Sequence, residues 1–132
     1  MNAVFTDTSA WYALINPKDA HHRNAKRFLD EHAGTLITSN YVVAETANLA
    51  LYRLGATPAM EFLEILRQTT LVELVVVTPQ QHERSVTLFA QYAAAGLSFT
   101  DCSSIALMQE QRITHAFCFD ADFRRAGLTC VP

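Results

Sequence analysis

Residues 5–14 read FTDTSAWYAL, and the reading of the whole chain turns on the third of them. The apolar run AVF ends here, Asp7 follows, and an aromatic helical pattern begins, in a chain where only 17 % of residues are charged. A β-rich run that stops at an acid and passes into a helical pattern is the opening of a β–α unit. Asp7 then has two readings: a cap for the helix or a ligand for a cation.

The same alternation continues outward from this stretch. Short β-rich runs, AVFT, GTLIT, LVELVVV and HAFCF, alternate with helical patterns over about 8–32, 40–54, 58–69, 79–94 and 101–112. This predicts an α/β/α sandwich around a central, mainly parallel sheet of four or five strands. Thr57-Pro58 and Thr78-Pro79 each set a hydroxyl ahead of a proline suited to the first helical position, and Gln81 completes a capping box with Thr78.

At 132 residues the chain is expected to form one domain over 1–132. An apolar fraction of 50 % excludes disorder. The apolar run TTLVELVVVTPQ is broken by Glu73 and is too short to span a bilayer, and no basic segment precedes an extended apolar stretch at the start. Neither a membrane nor a secretory signal is expected. Cys102, Cys118 and Cys130 are odd in number and lack CxxC spacing, which argues against a disulfide framework and a structural zinc site and points to a cytoplasmic location. Ten Lys and Arg against 13 Asp and Glu leave a net charge of −3, the wrong sign for holding nucleic acid by bulk electrostatics. Local basic clusters therefore matter more. HHRNAKRF carries Arg23, Lys26 and Arg27, and FRRAG carries Arg124 and Arg125.

Three more acids stand out. Asp120 closes HAFCF as Asp7 closes AVF, and strand ends are where open parallel sheets bind ligands. Taken singly, each is also an ordinary cap or turn former. On a helical wheel Glu45 falls between Leu49 and Tyr52, flanked by Tyr41, Val42 and Asn48. A carboxylate on that apolar face needs a hydrogen bond, an ion pair or a cation. Asp101, in LSFTDCSSIALMQ, suits the first turn of a helix capped by Ser98 or Thr100, and it shares a face with Ser104, Ile105 and Met108. Other chemistries are poorly supported. His21 and His22 are adjacent and would diverge on a helix, and no GxSxG elbow accompanies Cys102 or Ser103.

Taken in order, FTDTSAW, TSNYVVAETANL, LSFTDCSSIALM and FCFDADF resemble the acidic motifs of the PIN domain, and within that family the small VapC-type toxins of toxin–antitoxin pairs. The resemblance implies a metal-dependent endoribonuclease that hydrolyses RNA phosphodiester bonds. Asp7, Glu45, Asp101 and Asp120 would be its catalytic carboxylates and the ligands of Mg²⁺ or Mn²⁺, ions that hard carboxylate oxygens suit. One ion would activate a water, and a second, arriving with substrate, would stabilise the leaving oxygen. Ser9, Ser104 and Asp122 are expected to support these acids. In the DAD triplet the similarity matches Asp120 to the family acid, with Asp122 behind it, and Phe119 stands where relatives often carry Thr or Ser. Arg23, Lys26, Arg27 and Arg124 would grip phosphates on the rim. Two competing readings are a PIN nuclease of RNA processing or DNA cleavage, and a non-catalytic nucleic-acid-binding PIN module. The second would usually have lost an acid, and all four are present.

The helix PAMEFLEILRQ spreads Met60, Phe62, Leu63, Ile65 and Leu66 over an arc of about 220°, wider than the roughly 100° that one core face needs. The surplus, with Met60, Phe62 and Ile65 as contacts, is expected to line a groove for an antitoxin helix, with a homodimer contact shared with it or made elsewhere. The resemblance adds that the antitoxin can send a basic side chain into the acid cluster.

Overall fold

A computed structural model, describing residues 3–132, contains five parallel strands: β1 (Ala3–Thr6), β2 (Thr35–Ser39), β3 (Val72–Val75), β4 (His115–Phe117) and β5 (Thr129–Val131). They lie in the order β3-β2-β1-β4-β5. Six helices connect them: α1 (Thr8–Ile15), α2 (His22–Glu31), α3 (Asn40–Leu54), α4 (Ala56–Gln68), α5 (Pro79–Tyr92) and α6 (Phe99–Gln111). The expected sandwich is therefore present. Because side chains alternate along a strand, Phe5, Ile37 and Ala116 face one way and pack with Val42, Leu88 and Ile105. Val4, Leu36 and Phe117 face the other way, against Ala10, Ala13 and Ala25 of α1 and α2. Burial on both faces is why these strands read as nearly continuous apolar runs.

The helix starts are chemically specified. Ser39 caps α3 by accepting from the Val42 amide at 3.2 Å. Thr78 and Gln81 close a reciprocal capping box on α5, and Ser98 and Asp101 close one on α6. The side chain of Asn40 accepts from the Val77 amide at 2.8 Å, tying the exit of β3 to the start of α3.

Four details differ from expectation. The pattern over 8–32 is two helices, because Pro17 disfavours a helical conformation for Asn16, which is extended at φ −109° and ψ 102°. Thr57 is not a cap: Gly55, at φ 108°, ends α3 and α4 begins at once at Ala56. Pro58 then falls in the first turn, where a missing N–H costs nothing. β5 has three residues, too few to show an alternation. Finally, Phe62 does not belong to the outer surface of α4. It is 3 % exposed, and its ring packs 5.8 Å from that of Trp11. The Trp11 indole N–H donates to Thr38 Oγ1 at 3.1 Å, and that hydroxyl donates to the Thr6 carbonyl at 3.0 Å. Phe62 thus braces a hydrogen-bonded link between α1 and two strand ends. Met60 and Ile65 do remain outside, 68 % and 62 % exposed.

Among the described residues no helix is long and apolar enough to cross a membrane, and all three cysteines are free. The division of α4 into core and surface sides is measurable by urea unfolding. Phe62→Ala should cost about 3–5 kcal/mol, as for other buried aromatic truncations, whereas Met60→Ala should stay within about 0.5 kcal/mol.

Candidate active site

The chain moves outward from β1 through β2 to β3, then returns to the other side of β1 to lay down β4 and β5. That reversal leaves a crevice beyond the carboxyl ends of β1 and β4, the place where open α/β sheets bind ligands. Asp7 is the first residue past β1, and its amide donates to the Phe117 carbonyl at 3.0 Å, so the two strand ends are joined there.

Asp7 proves to be a cap and more. Its Oδ2 accepts from the Ser9 amide at 3.2 Å and from the Ser9 hydroxyl at 3.0 Å, which caps α1. Its Oδ1 is buried with no hydrogen-bond partner. The Ser9 hydroxyl in turn accepts from the Phe119 amide at 3.0 Å. One serine therefore ties the acid after β1 to the loop that carries Asp120. Asp120 is fixed by its own turn, its Oδ1 accepting from the Asp122 amide at 3.2 Å. Asp101 accepts from the Ser98 amide at 2.9 Å in the α6 capping box. Glu45 projects, half-buried, from α3. All four acids line one cavity of about 410 Å³, together with Ser9, Tyr12 and Arg53.

The electrostatics of this cavity are strained. Burial raises the Asp7 carboxyl to about 7, helped by the neighbouring charges of Asp120 and Asp101 and opposed by the Ser9 hydrogen bonds. Burial likewise raises Asp101 to about 6. Asp120 is raised by burial, with the charges of Asp122 and Glu45 adding to it. Desolvation and mutual repulsion outweigh every hydrogen bond the protein supplies. A divalent cation would remove this imbalance, and the residues fit one: the donors are hard oxygens, and Asp7 Oδ1 lacks a partner. Among the described residues no group of three or more His, Cys, Asp or Glu side chains stands preformed at metal-ligand distances, and hard divalent cations commonly complete their shells with waters and phosphate oxygens.

The remaining residues singled out from the sequence are not all at the cavity. Ser104 is buried and donates to the Thr100 carbonyl at 3.1 Å, spending its hydroxyl within α6. Asp122 supports Asp120 through its backbone amide and does not line the cavity. Arg23, Lys26 and Arg27 are exposed on α2, and Arg124 is exposed in the short helix that follows Asp120. The face of Glu45 is also wetter than its composition suggests, since the buried stripe of α3 is Val42, Thr46 and Ala50. Arg53 and His21, which the sequence does not single out as site residues, also line the cavity. Arg53 lies eight residues after Glu45, two turns along one face of α3, and its guanidinium sits 5.4 Å from the centre of the Tyr12 ring. His21 stacks on Phe119 with centroids 4.5 Å apart. The i, i+4, i+8 spacing of Glu45, Leu49 and Arg53 was a usable signal, whereas the His21–Phe119 stack joins residues far apart in the chain.

The family model of the PIN domain matches residues 4–128, nearly the whole described chain. This chain belongs to the PIN-domain family. Within it, the PIN domain is similar to the 23S rRNA-specific endonuclease VapC20 of Mycobacterium tuberculosis, with 36 % identity over 124 residues that cover 94 % of each chain. It superposes on a crystal structure of M. tuberculosis VapC20, described as a Sarcin-Ricin loop cleaving toxin, with a TM-score of 0.90, 34 % identity and 96 % of each chain covered. FitAcB of Neisseria gonorrhoeae shares the PIN fold at a TM-score of 0.73, with 14 % identity over 98 % of this chain and 96 % of that one. The family and its VapC type are thus those that the four acidic motifs predict.

The raised carboxyls give a stability signature in metal-free protein. Between pH 4 and 7 the folded state holds protons on Asp7 and Asp101 that the unfolded chain has released, so stability falls as pH rises through this window. In EDTA the wild-type melting temperature should decline from pH 4 to pH 7.5. Asp7→Asn keeps a capping oxygen and should decline less, gaining on the order of 4 kcal/mol relative to wild type at pH 7.5 and under about 1 kcal/mol at pH 4. Equal pH profiles for the two proteins would contradict the burial of an ionisable group at this position.

Proposed function

We propose that this PIN domain is an endoribonuclease, the toxin of a toxin–antitoxin pair, which hydrolyses RNA phosphodiester bonds with Mg²⁺ or Mn²⁺ held by Asp7, Glu45, Asp101 and Asp120. The observation that carries this reading is the presence of all four acids around one cavity at the carboxyl ends of a parallel sheet. When bound, the divalent ion lowers the pKa of a coordinated water and offsets the charge that gathers on the phosphoryl oxygens. The protein's own part is positional. Ser98 and the Asp122 amide hold Asp101 and Asp120 through one oxygen each. Ser9 fixes Asp7 against the Phe119 loop and leaves Oδ1 free. Arg53, on the cavity wall, would bind a phosphate oxygen as substrate enters. The exposed Arg23, Lys26, Arg27 and Arg124 would hold flanking phosphates, and so position the strand without reading its sequence. By analogy with VapC20, the substrate would be a loop of ribosomal RNA, and the site of action a cytoplasmic one.

For the antitoxin, the surface we propose is the outer side of α4 and the adjoining edge of the sheet. Leu63, Leu66, Val43, Val72 and Leu74 line an apolar groove of about 360 Å³ there. Met60 and Ile65 are also exposed on α4, and Leu71 is exposed at the approach to the edge strand β3. This is a surface on which an amphipathic helix could lay its apolar face. The PIN domain would act as a homodimer, through a contact shared with this surface or made elsewhere.

Two measurements test the reading. In Mg²⁺ or Mn²⁺, Asp101→Asn and Asp120→Asn should each cut RNA more than about 100-fold more slowly than wild type, exceeding the 10- to 100-fold typical of residues that only support a ligand. Wild-type rates from either variant would remove that acid from the metal site. Separately, Ile65→Glu should abolish co-purification with the cognate antitoxin while leaving RNA cleavage intact. If co-purification persists and the apparent mass is unchanged, α4 is not the partner surface.

A further inference from the structure

Beside the acid cavity lies a second, larger one of about 640 Å³ that the chemistry above does not use. Glu45 and Leu49 line both, so the two adjoin along α3. Its walls are Tyr41, Asn48 and Tyr52 of α3, His82 of α5, and Phe99 at the start of α6. The floor is a fixed aromatic cluster. The Tyr41 hydroxyl and His82 Nδ1 are hydrogen-bonded at 2.7 Å, and Phe99 packs against His82 at 5.3 Å and Tyr41 at 6.4 Å. Tyr52 is the exception. It lines the groove one helical turn beyond Asn48 and is 82 % exposed.

The charge distribution says what can enter. The acid cavity has Arg53 on its wall, whereas the second cavity has no Lys or Arg among its lining residues and has Glu45 at its mouth. A phosphate is therefore unwelcome in it. A neutral, flat group is not: aromatic rings offer stacking faces, and the Asn48 amide offers both a donor and an acceptor. The volume suffices for a nucleobase with room for its sugar. Resting on the nuclease reading, we infer that this groove is a base subsite: it takes one unpaired base next to the scissile phosphate, stacked on Tyr52, with Asn48 facing its edge. The phosphate would then lie over the acids near Arg53, and the base would turn away from them. Such a base is available in a single-stranded loop and unavailable within a duplex, so the groove would also select for loops.

The test uses full-length protein and a fluorescent RNA stem-loop whose cut position is first mapped with wild type. Each base flanking the cut is then replaced in turn by an abasic unit. One of the two abasic RNAs should be cut with a kcat/KM lower by about 5- to 150-fold, the range expected for one lost stacking contact. Tyr52→Ala should lose a similar factor on the intact RNA and nothing further on that abasic RNA, and Tyr52→Trp should restore the rate. Its melting temperature and mass in solution should match wild type. An unchanged rate for Tyr52→Ala, or an equal loss on intact and abasic RNA, overturns the subsite. So does a halved mass for Tyr52→Ala, which would show the groove to be covered by a second copy of the chain. Wild type that cuts no RNA in Mg²⁺ or Mn²⁺ defeats the nuclease reading and the subsite with it, whereas a cutting wild type with an indifferent Tyr52→Ala defeats the subsite alone.

Discussion

A carboxylate that leaves water must find compensation, and Asp7 finds only half of it inside the protein. One oxygen caps α1 through Ser9, and the other is buried without a partner. Two further acids, Asp101 and Asp120, raise the cost of ionising it. Hydrophobic packing cannot relieve such a cluster, because the penalty comes from lost solvation and like charge. A cation can. The site is thus built around a deficit that the metal-free protein meets by holding protons.

The fold brings this about with ordinary structural devices. Asp7 is an N-cap, Asp101 is half of a capping box, and Asp120 accepts from an amide two residues on in a turn. Each is what its local sequence would select for capping or turning alone. Placing two of them at helix N-termini also sets the positive ends of α1 and α6 toward the negative cluster, which softens the repulsion without cancelling it. The Ser9 hydroxyl bridges acid and loop across the β1–β4 crevice. The Trp11–Thr38–Thr6 chain, with Phe62 packed on Trp11, fixes α1 to the same strand ends. Stability and function therefore share residues, and substitutions in the site have consequences on both counts.

Around this centre the surface divides by polarity. Arg53 puts a cation on the wall of the acid cavity, the adjoining groove is lined largely by aromatic side chains, and the groove between α4 and the β3 edge is lined mainly by aliphatic ones with Arg67 among them. Glu45 belongs to two of these regions, and its half-buried position on α3 makes it the hinge between the acids and the groove.

The architecture and the four acids were legible in the sequence because they rest on local signals. Strand runs, caps and acids at strand ends depend on neighbours a few residues away, and the parallel order follows from their alternation with helices. Where a local signal was misread, a nearby residue decided the outcome: Pro17 split the first helix, and Gly55 displaced the cap from Thr57. What no local pattern carried was burial on helices with more than one apolar face. Phe62 and Ile65 are alike in character and three residues apart, yet one packs on Trp11 and the other faces solvent. The helical wheel sets Glu45 on an apolar face, but that face borders an open groove, with α5 and α6 residues forming its far wall. The residue types, their order and their capping chemistry came from the sequence alone. Which oxygen is left without a partner, which aromatic is free, and which acids share a cavity came only from the tertiary structure, since each depends on what another segment places across a gap.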